Sequence, residues 1–127
     1  MSLVKGIHHV SMKCCDEKEY TKTVLFYRDV LGLKVARTWN TGIMFETGTG
    51  LIEIFNDGDR PLEKGNIRHF AFATDDVDAC AKAVQEAGYE VFIEPKDITI
   101  ASTPEYPARI AFCKGPLGEE IEFFEER

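Results

Sequence analysis

The sequence has no apolar run approaching the roughly 20 residues that cross a bilayer, no C-x-x-C pair among its four cysteines, and no stripe of Lys and Arg. Each absence removes a class of function. The first, together with an opening Met1-Ser2-Leu3-Val4-Lys5 that lacks the apolar core of a signal peptide, predicts a cytoplasmic protein with no membrane partner. The second argues against a zinc ribbon or a redox dithiol. Cys14 and Cys15 are adjacent and would point to opposite faces of a strand, so the expectation is four free thiols, most of them packed as small hydrophobes. The third excludes nucleic acid as a partner, because a net charge of −7, from 15 basic and 22 acidic residues, repels a polyanion. Small-molecule partners are expected instead.

What is present suffices for one packed domain. The 127 residues are 44% hydrophobic, and nine Phe, four Tyr and one Trp give bulk to a core. Apolar spacing at Tyr20, Val24, Phe26, Tyr27 and Leu31 predicts a helix over 17–31, and the capping pair Asp75-Asp76 opens a second over 77–87. Gly32 and Gly88 end them. Alternating segments at 6–13 and 66–74 precede the helices as strands, and three short strands follow each: 33–39, 42–47 and 51–56, then 89–94, 108–114 and 119–125. Both halves read β-α-β-β-β. The class predicted is α+β: two tandem βαβββ modules, about 5–56 and 66–126, joined by a 57–65 linker rich in Asp, Gly and Pro. They are expected to form one curved mixed sheet around a concave metal site within a single domain of residues 1–127.

Side-chain alternation selects the site. Val10 and Met12, like Phe70 and Phe72, suit a helix-packing face, which turns His9 and His69 to the opposite face beside the small residues Ser11 and Ala71. Glu53, between Ile52 and Ile54, and Glu122, between Ile121 and Phe123, turn the same way. A carboxylate among apolar neighbours costs several kcal/mol of desolvation unless a cation or strong donor meets it. A histidine alone on a strand is most often structural, and the acidic residues around Glu122 are most often a solvated face. The repeat-related placement of all four is what those ordinary readings leave unexplained. His9, Glu53, His69 and Glu122 are therefore the predicted ligands of one divalent metal ion, nickel, cobalt or zinc ahead of iron or manganese. His8 is read as structural or surface-facing.

The segments Ile7-His8-His9-Val10, Phe26-Tyr27-Arg28-Asp29-Val30-Leu31-Gly32-Leu33, Leu51-Ile52-Glu53-Ile54, Arg68-His69-Phe70-Ala71-Phe72 and Gly115-Pro116-Leu117-Gly118-Glu119-Glu120-Ile121-Glu122-Phe123 resemble the vicinal oxygen chelate superfamily, the glyoxalase/bleomycin resistance/dioxygenase group, over nearly the whole chain. Within it, the order His, Glu, His, Glu is similar to lactoylglutathione lyase, or glyoxalase I. The resemblance implies a homodimer and a metal-dependent lyase or isomerase acting on a hemithioacetal or related vicinal-oxygen substrate, with Glu122 as the base and Glu53 as its pseudo-symmetric partner. It also implies substrate contacts at Lys13, in place of the family's first-strand arginine, and near Asn56. The family asparagine four residues beyond Glu53 is Asp57 here, which speaks against anionic glutathione and for another thiol or a different vicinal-oxygen substrate. The 97–108 segment reads either as a lid, with Tyr106 and Arg109 at its end as further substrate contacts, or as an ordinary crossover. Trp39, Met44 and Phe45 read as pocket lining or as core. The alternatives in other classes are a non-catalytic small-molecule binding or resistance protein of this fold, an Fe(II) dioxygenase and a thiol transferase.

Overall fold

The computed structural model describes residues 2–3 and 5–127; Met1 and Val4 of the opening segment lie outside the described residues. It divides into two compact units, Met1–Leu62 and Glu63–Arg127.

In the first unit, strand β1 (His9–Lys13) leads into helix α1 (Glu17–Leu25), which continues as a π-helical turn, Phe26–Val30. Asp16 caps the helix by accepting from the Glu19 N–H at 2.7 Å, and Glu19 in return accepts from the Cys15 N–H at 3.0 Å. The wide turn, closed by Leu31 N–H donating to the Phe26 carbonyl, accompanies full burial of the adjacent Phe26 and Tyr27. Gly32, at φ 73°, ends it in a conformation that L side chains rarely adopt. Strands β2 (Lys34–Trp39), β3 (Gly42–Glu46) and β4 (Leu51–Phe55) follow. The sheet order is β1-β4-β3-β2, with β1 parallel to β4 and the other pairs antiparallel. Met12, Ile43, Phe45, Ile52 and Ile54 are buried, and Phe45 meets Tyr27 with ring centroids 6.2 Å apart.

The second unit repeats the plan. Strand β5 (Phe70–Ala73) precedes α2 (Val77–Glu86), capped by Asp76 accepting from the Ala79 N–H at 3.0 Å, and β6 (Val91–Ile100), β7 (Tyr106–Lys114) and β8 (Glu120–Glu126) complete a sheet ordered β5-β8-β7-β6. Val77, Ala81 and Val84 of the helix are buried, as are Ile121, Phe123, Ala111 and Cys113 of the sheet. Among the described residues no cysteine is in a disulfide, and burial pushes the Cys113 thiol up to about 12.

The single curved sheet expected around a concave site is not the architecture. Among the described residues the strands form two separate four-stranded sheets, and neither closes on itself. The α+β class takes the form of two mixed sheets, each with its own helix. Alternation along a strand sets which side chains share a face, but leaves open which backbone edges pair, and here β1 and β5 each use one edge only. The 97–108 segment also differs from a long loop. Most of it is hairpin, with β6 and β7 paired from Val91↔Cys113 to Ile100↔Tyr106 and a turn of only 101–105. Among the described residues, no helix is long and apolar enough to cross a membrane.

Candidate metal centre

The two His–Glu pairs are built by one device used twice. In the first unit Glu53 stands directly across the parallel ladder from Ser11, and His9 lies two residues before Ser11 on the same face. In the second unit Glu122 stands across from Ala71, and His69 lies two residues before Ala71. The side chains meet diagonally: His9 Nε2 is 3.5 Å from Glu53 Oε1, and His69 Nε2 is 3.2 Å from Glu122 Oε1. Both carboxylates are mostly covered, at 13% and 12% side-chain exposure, while both imidazoles are open at 39% and 38%. Each acid is thus held within the sheet surface with its histidine at the rim. Burial pushes the Glu122 carboxyl above its ordinary value, and the neighbouring His69 partly draws it back.

Surroundings distinguish the pairs. His8 Nδ1 lies 3.0 Å from His9 Nδ1, so one ring donates to the other and the His9 Nε2 is left facing Glu53. His69 instead packs edge-on against Phe112 at a centroid distance of 5.0 Å, and Phe112 is the β7 partner of Glu122. The corresponding β3 partner of Glu53 is Met44.

Two donors bound to one ion at about 2.1 Å, at angles between the octahedral and tetrahedral values, lie about 3.0–3.4 Å apart. The donor chemistry suits two ligands of a divalent ion in each unit, with the 3.2 Å separation inside that range and the 3.5 Å one just beyond it. Among the described residues, no three His, Cys, Asp or Glu side chains form a group suited to hold a metal. Each unit therefore presents a half-set.

The residues expected to contact substrate fall in different settings. Lys13 shares the His9 face of β1; its ammonium is 3.5 Å from Asp57 and 5.3 Å above the Phe55 ring. Asn56 donates through Nδ2 to the Asn40 carbonyl at 3.1 Å and so ties down the β2–β3 turn. Tyr106 is on the Glu122 face, near the far end of β7, and donates to Glu126. Arg109 is on the opposite face, facing α2, where it donates to Asp78 at 2.8 and 2.9 Å and to Asp97 at 3.2 Å. Phe45 belongs to the core; Met44, also buried, and the exposed Trp39 lie on the Glu53 face.

Arg37 is a further residue of that face which the sequence did not single out. A bulge between Val35 and Arg37 sets Val35 against Phe45 but Arg37 against Met44. Simple alternation puts Val35 and Arg37 on one face, so no sequence signal separates them.

The model of the Glyoxalase/Bleomycin resistance protein/Dioxygenase superfamily matches residues 6–123. A lactoylglutathione lyase of Haemophilus influenzae is 31% identical over 118 residues, covering 84% of each chain. The Escherichia coli K12 protein YaeR, itself uncharacterised, is 29% identical and covers 97% of this chain and 98% of its own. The crystal structure of a lactoylglutathione lyase from Agrobacterium tumefaciens superposes with a TM-score of 0.68 at 17% identity, over 98% of this chain and 96% of that one, which speaks to the fold alone. With a family match from before the first histidine to just beyond the second glutamate, the chain belongs to the Glyoxalase/Bleomycin resistance protein/Dioxygenase superfamily.

Proposed function

We propose that the chain is a divalent-metal-dependent lyase or isomerase of the glyoxalase type, with His9, Glu53, His69 and Glu122 as the ligands of one ion. The observation that carries this reading is the repeated diagonal, in which each glutamate meets a histidine two residues before its ladder partner. Coincidence gives no reason for the same offset, the same residue types and the same exposures in both units. In this reading the units act as one domain, in a homodimeric, cytoplasmic protein.

A divalent ion held there supplies Lewis-acid chemistry toward a carbonyl or hydroxyl oxygen, with nickel, cobalt or zinc suited to the nitrogen and oxygen donors. The chain's own groups move the proton. The Glu122 carboxylate removes a proton from the carbon bearing the hydroxyl of a hemithioacetal, and its carboxylic acid returns that proton to the adjacent carbon, leaving a thioester. Lys13 offers charge to the substrate.

The test is bound metal per chain, by mass spectrometry, on protein purified without chelator, for the parent, Glu53→Gln and Glu122→Gln. One metal per chain, lost in both variants, with thioester formation from methylglyoxal and a thiol on adding nickel, cobalt or zinc, is the expected result. Two metals, with one lost in each variant, would mean independent half-sites. No metal in the parent would overturn the reading. The second reading is a small-molecule binding protein of the same fold, favoured by the absence, among the described residues, of a group of three donors. It predicts saturable binding without turnover.

A further inference from the structure

We propose that the Glu53 face of the first unit carries a subsite for a flat apolar group bearing a carboxylate, with Trp39 and Phe55 as its floor and Arg37 as its anion contact. This names the substrate class of the proposed site and rests on the reading that Glu53 marks its reactive face.

The ladders arrange that face in two neighbouring rows. One runs Arg37, Met44, Glu53 and Ser11; the other runs Trp39, Gly42, Phe55 and Lys13. Gly42 has no side chain, and the Trp39 indole occupies the space: a Cβ at position 42 would meet Trp39 Cζ2 at 2.6 Å. The indole thereby reaches across β3 to Phe55, with ring centroids 5.6 Å apart and planes 73° from parallel. The result is an aromatic floor beside the Glu53 row, and Trp39 stays 36% exposed on it.

Arg37 sits at the end of the Glu53 row. Its guanidinium donates to the Met44 sulfur at 3.0 Å, and among the described residues no carboxylate lies within ion-pair range of it. Arg28, Arg60, Arg109 and Arg127 each contact a carboxylate. A thioether is a weak acceptor for one of five guanidinium N–H donors, so the fork keeps its capacity for a bidentate carboxylate. Lys13, at the other end of the aromatic row, is engaged by Asp57. In the next row of the same face Lys34 stands across from Glu46, so Arg37 is the guanidinium of this face that is open to an anion. Its backbone lies two strands from Glu53, about 10 Å away, and its guanidinium reaches over Met44, the ladder partner of Glu53.

Trp39 is the sole tryptophan, so intrinsic fluorescence reads this floor directly, with or without metal. The full chain is titrated with 3-phenylpropionate and with neutral 3-phenylpropan-1-ol, with and without added nickel. The expected result is saturable quenching by the carboxylate, about tenfold or more weaker for the alcohol and for the carboxylate with Arg37→Gln, as loss of a charge-assisted contact dictates. Lys18→Gln, an equal charge change on α1, leaves the affinity unchanged. No saturable response, equal affinity for the two probes, or parent-like affinity in Arg37→Gln overturns the proposal. Because quenching is read without metal, failure of the metal site and failure of the subsite are separate results.

Discussion

The Glu53 carboxylate reaches diagonally across a parallel strand pair to His9, with Oε1 3.5 Å from Nε2, over the small side chain of Ser11 that stands directly opposite it. The second unit repeats this with Glu122, His69 and Ala71. In each case the directly opposed position is small, and a larger side chain there would occupy the space between acid and imidazole.

Ala71→Leu is accordingly expected to weaken metal binding by tenfold or more, on the order of 1.4 kcal/mol or above, with little change in the urea midpoint because Ala71 is exposed. Calorimetric titration with nickel, paired with urea unfolding, measures both. Parent-like affinity in this variant would mean that the open space across from Glu122 is not used.

Phe45 is fully buried against Tyr27 in the first unit, on the face of β3 opposite Met44. Truncation to alanine removes that packing and leaves a void, so Phe45→Ala should cost about 3–5 kcal/mol. Denaturant unfolding reads the loss. A cost below about 1 kcal/mol, typical of a surface change, would contradict its place in the core.

Arg109 holds the Asp78 carboxyl below its ordinary value of 3.8, mainly through their hydrogen bonds. A carboxylate whose pKa is depressed by folding adds stability that is fully present above the ordinary value and is lost as pH falls through the lowered one. Asp78→Asn should therefore lower the melting temperature at neutral pH, by an amount that shrinks in high salt and vanishes in strong acid. A difference independent of pH from neutrality down to pH 2 would show that the ion pair is not its origin.

Much of this protein was readable before any tertiary structure. Asp16 and Asp76 mark helix starts because a side-chain oxygen satisfies an orphan N–H wherever it occurs. The period of two in Leu51-Ile52-Glu53-Ile54-Phe55 places Glu53 opposite in direction to the buried isoleucines, and the repeat of that pattern at Glu122 pairs the halves. These are local properties of the chain, set by backbone geometry within a few residues.

Other features needed the folded chain. The π-helical turn at Phe26–Val30 takes the place of a regular helix end, where two adjacent aromatic residues are both buried. Arg109 reads in sequence as a candidate substrate contact beside a loop, yet its guanidinium is held by Asp78, 31 residues away, and by Asp97 on the neighbouring strand.

By itself, then, the sequence determined which residues share a face, where each helix begins and which histidines and glutamates correspond between the halves, since alternation and capping act over a few residues. Tertiary structure alone decided that the strands form two open sheets rather than one curved sheet, that β6 and β7 extend into a hairpin, and that a bulge before Arg37 brings it into the Glu53 row. Edge pairing and bulges depend on contacts between distant segments, whose free energies are small and are fixed only when the whole surface is buried together.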